Sequence, residues 1–152
     1  MLLEMVAGAF GDRVAVGTGG RALTYQQLLD RAGGGAAVIR ERGARAVAYV
    51  GTSDLALPVA LFAAAWAGVP FLPLNYRLSD EQLGDLLAEH PDALVVTDAP
   101  DRVRALAADV DVVGLAEWED LAATAEPADP SGTEGDHIAV LLYTSGTSAA
   151  PK

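Results

Sequence analysis

The sequence predicts an α/β fold built on a mainly parallel sheet flanked by helices. Short runs rich in β-branched and other apolar residues alternate with longer stretches of helical periodicity, the signature of βα units. Ala46-Val47-Ala48-Tyr49-Val50 is apolar at every position, as expected for a strand covered on both faces. Two helix-start signals, Thr24-Tyr25-Gln26-Gln27 and Ser79-Asp80-Glu81-Gln82, fall between such runs and set where helices begin.

Taken in order, residues 2–10 read as a short helix. Ala15-Val16 and Ala22-Leu23 flank Gly17-Thr18-Gly19-Gly20, a hairpin whose glycines tolerate the positive φ of a tight turn. Thr24 opens a helix through a capping box with Gln27, with Leu28, Leu29, Ala32, Ala36 and Ile39 as its buried stripe. Gly33-Gly34-Gly35 lies inside that helix at up to about 1 kcal/mol each relative to Ala, which close packing against a neighbour would explain. Gly43 stops the helix, and the strand 46–50 follows.

Ser53 or Asp54 is expected to cap the next helix, which runs to Ala67 and closes at Gly68. Phe71-Leu72 is a short strand. The Ser79 capping box starts a helix carrying Leu83, Leu86 and Leu87 to His90, and 93–97 is a strand. A helix over 101–108, a strand at Val112-Val113 and a helix over 117–125 complete the alternation. Residues 126–136, acidic and rich in Pro and Gly, form a loop from which a strand, His137 to Tyr143, is expected to emerge.

The formal net charge is −11 over 152 residues. It is uneven: residues 1–78 hold seven Arg against five acids, whereas residues 79–152 hold three basic groups against sixteen acids. Such a surface repels nucleic acid and anionic lipid. Without cysteine there is no disulfide framework and no thiolate metal site, and His90 and His137 are too far apart in sequence to suggest a metal nest. The longest apolar run, Leu55 to Ala67, contains Pro58 and is too short to span a bilayer, and the first residues lack a secretory pattern. The expectation is a cytoplasmic, metal-free chain, unless a substrate brings a cation.

The chemistry is concentrated at the end of the sequence, in Tyr143-Thr144-Ser145-Gly146-Thr147-Ser148-Ala149-Ala150-Pro151-Lys152. A loop that binds a phosphate chain needs inward backbone amides, hydroxyl donors, a residue small enough for close approach, and a cation. Thr144, Ser145, Thr147 and Ser148 supply hydroxyls, Gly146 supplies access, and Lys152, the one lysine among ten basic residues, supplies charge. The spacing is neither G-x-x-x-x-G-K-[ST] nor G-x-G-x-x-G, so nothing here points to a P-loop kinase or a Rossmann dehydrogenase.

This run resembles the [YF]-T-S-G-[ST]-T-G-x-P-K signature of the adenylate-forming (AMP-binding) superfamily, which includes acyl-CoA synthetases, luciferases and the adenylation domains of peptide synthetases. Leu23-Thr24-Tyr25-Gln26-Gln27-Leu28, Ala67-Gly68-Val69-Pro70 with Pro73-Leu74-Asn75, and Leu94-Val95-Val96-Thr97-Asp98 resemble further family motifs, so the likeness extends over almost the whole chain. It implies that residues 1–152 are part of the large N-terminal domain of an acyl-CoA synthetase-like ligase, with an acidic loop at 126–136 and the phosphate loop at 143–152.

By that resemblance, Thr144, Ser145, Gly146, Thr147 and Ser148 would hold the β- and γ-phosphates of ATP, with its Mg2+. Lys152 would be the catalytic residue, stabilising charge as a carboxylate attacks the α-phosphorus. The acid is expected to be a fatty acid, and coenzyme A the thiol that then takes the acyl group. Ala149 stands where the signature has Gly. A chain ending at Lys152 would lack the nucleotide, magnesium and acyl pockets that the family places later, so the expectation is a piece inactive alone. The alternative is a non-catalytic fragment, or a split-enzyme subunit that contributes the phosphate loop in trans, binding a complementary chain, or itself, through exposed sheet edges.

The remaining polar residues read as structural. His137 is expected at the start of its strand, and His90 beside a helix C-terminus as a dipole partner. Arg77 is expected to pair with the acidic second half, and Trp66 and Trp118 to pack in or near the core.

Overall fold

The computed structural model describes residues 2–130 and 137–143. Helix α1 (Leu2–Phe10) leads into a two-stranded antiparallel hairpin, β1 (Val14–Thr18) and β2 (Arg21–Thr24), turned by Gly19 and Gly20 at positive φ. Then follow α2 (Tyr25–Glu41), β3 (Ala46–Val50), α3 (Ala56–Ala67), β4 (Phe71–Leu74) and α4 (Asp80–Ala88). The succession ends with β5 (Ala93–Thr97), α5 (Pro100–Leu106), β6 (Asp111–Gly114) and α6 (Leu115–Thr124).

Strands β3 to β6 form one parallel sheet in the order β4-β3-β5-β6. The chain steps from β3 to β4, then crosses back over β3 to reach β5, which places successive crossover helices on opposite faces. Val47, Tyr49, Leu94 and Val96 point to the face covered by α2, α3 and α6. Ala46, Ala48, Val50 and Val95 point to the face covered by α4 and α5. Every residue of β3 is buried, as its unbroken apolar run predicts, and so is every residue of β5, including the polar Thr97.

Both capping boxes form: Thr24 with Gln27, and Ser79 with Gln82. The cap expected from Ser53 or Asp54 forms at Asp54, one residue ahead of the cap position: its Oδ1 accepts from the Ala56 N–H at 3.5 Å, Leu57 N–H donates to its carbonyl at 3.1 Å, and Leu55 at the cap position itself makes no side-chain hydrogen bond. Gly68 ends α3 in the left-handed conformation with φ 80°.

The three glycines of α2 are all buried, each at a close approach. A Cβ on Gly35 would lie 2.8 Å from Ala63 of α3 and 3.0 Å from the Trp118 ring of α6. On Gly34 it would collide with the Ala122 carbonyl and sit 3.1 Å from that of Ala125; on Gly33 it would be 2.8 Å from Pro127. Trp118 is thereby fully buried, its indole N–H without a hydrogen-bond partner among the described residues. Trp66 is also buried and donates to the Ala128 carbonyl at 2.8 Å, tying the segment after α6 to the α2–α3 layer.

The strand expected over His137–Tyr143 is reduced to a single parallel bridge between Val140 and Phe71, with His137 exposed ahead of it. Phe71 N–H donates to the Ala139 carbonyl at 3.0 Å, and Leu141 N–H donates to the Phe71 carbonyl at 2.9 Å. In this register the next ladder bond would need a donor at residue 73, which is proline and has no N–H. Pairing therefore stops after one step.

If close approach is why α2 tolerates its glycines, Gly34→Ala lowers folding stability by about 2 kcal/mol through a backbone collision. Gly84→Ala, where α4 has 3.8 Å of room, raises it by about 0.5–1 kcal/mol through helix propensity. Urea unfolding midpoints that move in the same direction for both variants would contradict this account.

Candidate functional site

In an open parallel sheet, ligand sites gather outside the carboxyl ends of the strands, where the chain reverses its direction of travel. Here that point lies between β3 and β5. The loops that leave these strands are clasped together: Asp98 Oδ2 accepts from the backbone N–H of Thr52 at 3.0 Å and from its hydroxyl at 3.2 Å. A Cβ on Gly51 would lie 3.1 Å from the Asp98 carboxyl carbon, so the carboxylate fills the space a side chain would take. Tyr49, buried in β3, donates to the Thr52 carbonyl at 2.8 Å. Burial first, then the negative charges of Asp54 and Asp98, push its hydroxyl up to about 12. Beside the clasp, Arg21 pairs with Glu119 and lies 3.7 Å from Asp54. The cluster joins the two loops.

A second polar cluster lies at the opposite end of the sheet, where α4 turns into β5. The Tyr143 hydroxyl donates to Glu89 Oε2 at 3.1 Å and lies 2.5 Å from His90 Nε2. A phenol has one proton, so with that proton on Glu89 the hydroxyl oxygen accepts, and His90 Nε2 is the protonated ring nitrogen. The two rings meet edge to face, with centroids 6.0 Å apart. Burial, then the hydrogen bond to Glu89 and its charge, raise the Tyr143 hydroxyl above its ordinary range. Held neutral, it acts as a donor and not as a base at neutral pH.

His90 thus does more than face a helix dipole. It lies beyond the Glu89 cap of α4, and its ring engages Tyr143. Among the described residues Arg77 makes no ion pair of the kind expected: its guanidinium stacks 5.4 Å over the Tyr76 ring and donates to the Tyr76 hydroxyl. The link to the acidic half at this place comes from Arg102, which bonds Asp80 at 2.8 Å and the carbonyls of Tyr76 and Leu78.

The sequence-predicted site residues Thr144, Ser145, Gly146, Thr147, Ser148 and Lys152 lie outside the described residues. What is described is the stem that leads to them, ending at Tyr143. Neither polar cluster is signalled in the sequence: Thr52 and Asp98 are 46 residues apart, His90 and Tyr143 are 53 apart, and no local spacing joins them. Among the described residues no group of three or more His, Asp or Glu could hold a metal ion, and no helix is long and apolar enough to cross a membrane.

A family model described as AMP-binding enzyme matches residues 3–152, almost the whole chain. The chain belongs to the AMP-binding enzyme family. Among curated relatives, feruloyl-CoA synthase of Amycolatopsis sp is 38% identical over 144 residues, covering 91% of this chain and 29% of that protein. N-(5-amino-5-carboxypentanoyl)-L-cysteinyl-D-valine synthase of Amycolatopsis lactamdurans is 36% identical over 160 residues, covering 99% of this chain and 4% of that protein. Among solved structures, ATP-bound MatB from Rhodopseudomonas palustris superposes with a TM-score of 0.83 at 28% identity, over 99% of this chain and 33% of MatB. The chain thus spans less than a third of the length of each of these three. The fold is that of the AMP-binding family, and the lineage is that of its adenylate-forming ligases.

The electrostatics of the carboxyl-end clasp have a measurable consequence. A hydroxyl raised from its ordinary value near 10 to about 12 binds its proton more tightly in the folded chain, so its contribution to stability is complete below pH 10 and is lost as pH rises toward 12. Urea unfolding between pH 9 and 12 should show stability falling from pH 10 upward, by on the order of 2 kcal/mol from Tyr49. Tyr49→Phe should remove most of that slope, leaving the smaller share due to Tyr143. An unchanged slope in Tyr49→Phe would refute the assignment.

Proposed function

We propose that this chain is the N-terminal part of a ligase that activates a carboxylic acid with ATP, forming acyl-adenylate and pyrophosphate, and then passes the acyl group to coenzyme A. The observation that carries this reading is the family match across residues 3–152, which takes in the hydroxyl-rich motif and its lysine. ATP bound to MatB, and the thioester product named in feruloyl-CoA synthase, support ATP and coenzyme A as co-substrates.

The donor set of the motif suits a phosphate chain: four hydroxyls, one glycine and one ammonium within nine residues. In this reading Thr144, Ser145, Thr147 and Ser148 donate to the β- and γ-phosphate oxygens, and Gly146 lets the backbone approach them. Lys152 neutralises charge that builds as the pyrophosphate leaves, an interaction stronger in the transition state than in the ground state. Mg2+ arrives with ATP and screens the phosphates. The fatty acid expected from the sequence is one substrate class to test, beside aromatic acids and amino acids.

A second reading is favoured by one observation. Ile138, Val140 and Leu142 are exposed at 64%, 41% and 65%, an alternating apolar row of the kind that another polypeptide covers. In that reading the chain is a subunit that binds a complementary polypeptide, with or without turnover.

Two measurements separate these. In the polypeptide that carries this chain together with the remainder of the ligase, acid-dependent ATP–pyrophosphate exchange is expected, and Lys152→Ala should lower it about a hundredfold. Exchange undiminished by Lys152→Ala would remove the role given to that residue, and none with any acid class would remove the ligase reading. For the 152-residue chain alone, a lysine-reactive ATP analogue should label Lys152 in competition with ATP if the loop binds nucleotide unaided; association with the remainder without exchange favours the second reading.

A further inference from the structure

We propose that residues 137–143 are a strap that opens and closes on β4 without global unfolding, and that the Tyr143 hydroxyl, held by Glu89 and His90, is its latch. Backbone pairing holds the strap weakly. Among the described residues it has two main-chain hydrogen bonds to β4, Phe71 N–H to the Ala139 carbonyl and Leu141 N–H to the Phe71 carbonyl. Pro73 has no N–H with which to add a third. Five of the seven residues are exposed, while Leu141 and Tyr143 pack against the core cluster on the α4 side. Few buried contacts and solvent-facing backbone hydrogen bonds mark a segment that opens at the low end of a protein's stability range. Strand β5, buried at every position, lies at the other end.

The latch lies at the strap's last residue. The Tyr143 hydroxyl donates to Glu89 Oε2 and accepts from His90 Nε2, so its side chain adds two bonds to the two that the main chain makes. Glu89 and His90 belong to a braced turn: His90 N–H donates to the Leu87 carbonyl at 3.0 Å, and Ala93 N–H, at the start of β5, donates to the His90 carbonyl at 3.0 Å. The fixed half of the latch is therefore continuous with α4 and the central sheet, and the moving half is the strap. A cleft of about 160 Å3, lined by Arg45, Pro70, Glu89, His90 and Asp92 among others, opens beside it, so water competes for both bonds. Closed, the strap occupies the N–H and C=O of Phe71. Open, it returns both to solvent and withdraws Leu141 and Tyr143 from the cluster.

Amide hydrogen exchange in the 152-residue chain, followed residue by residue by NMR, reads this directly. Phe71 and Leu141 should share one protection factor, at least about tenfold below that of Val95 in β5, and theirs should hardly change in low urea while that of Val95 falls. Gly34→Ala, which destabilises the α2–α6 contact, should lower protection of Val95 about tenfold or more and leave Phe71 and Leu141 within about twofold. Tyr143→Phe keeps the ring and removes the hydroxyl, and should lower protection of Phe71 and Leu141 about fivefold to tenfold; His90→Phe, which removes the donor, should act in the same direction. Protection of Phe71 that equals and tracks that of Val95 means the strap leaves only by global unfolding and overturns the proposal. So does an unprotected Phe71, which means the strap is not closed. Unaltered protection of Phe71 and Leu141 in Tyr143→Phe or in His90→Phe overturns the latch.

Discussion

Three consecutive glycines in the middle of α2 govern how one whole face of the sheet is covered. Each costs the helix up to about 1 kcal/mol in propensity, and each lets something approach that a methyl group would push away: Pro127 at Gly33, the Ala122 and Ala125 carbonyls at Gly34, Ala63 and Trp118 at Gly35. Helix α3 therefore approaches α2 at Gly35 and α6 at Gly34 and Gly35, and Trp118 of α6, against Gly35, is fully buried. The capping box at Thr24 and the stripe from Leu28 to Ile39 offset part of the helix cost. The dependence extends beyond α6. Ala128 N–H donates to the Gly33 carbonyl at 3.1 Å, and Arg40 donates to the Asp129 carbonyl, so the segment that later reaches β4 starts from a fixed point.

The uneven charge of the sequence is used in the fold. Arginines of the first half reach acids of the second: Arg42 bonds Asp111 at 2.8 Å and Arg21 bonds Glu119. These pairs are partly exposed, where each contributes about 0–1 kcal/mol and less in salt. They serve register more than stability, joining α2 to the β6 edge and the hairpin to α6.

Features that depend on near neighbours in the chain were legible in the sequence. Both capping boxes, the strand at 46–50 buried on both faces and the glycine stops are written in spacings of a few residues, and the structure contains each. The alternation of strand and helix predicts the parallel sheet because no short connection can join parallel strands. The strand expected over 137–143 reads correctly as apolar alternation, but its extent depends on which way the missing amide of Pro73 faces, and only the β3–β4 register decides that. Asp54 is legible only in part: its cap on the Ala56 amide is local, whereas the approach of its carboxylate to Arg21 of the hairpin, 33 positions earlier, is not. For the candidate site, the phosphate-loop motif is legible because its chemistry is contiguous. The Tyr49–Thr52–Asp98 clasp and the His90–Tyr143–Glu89 bridge are assembled from different strands and turns, so no window of sequence contains them.

Pro73 has one more effect, on the behaviour of the chain among its own copies. The open rim of a sheet is a template on which a stray strand can grow, and β4 is such a rim. Its outward amide at Phe71 is already taken by Ala139, and the next outward position carries no hydrogen to offer. A foreign strand arriving at β4 would find one donor occupied and the following one missing, with too little left to start a ladder. The residue that cuts short the tail's own pairing thereby protects the rim against self-propagating assembly.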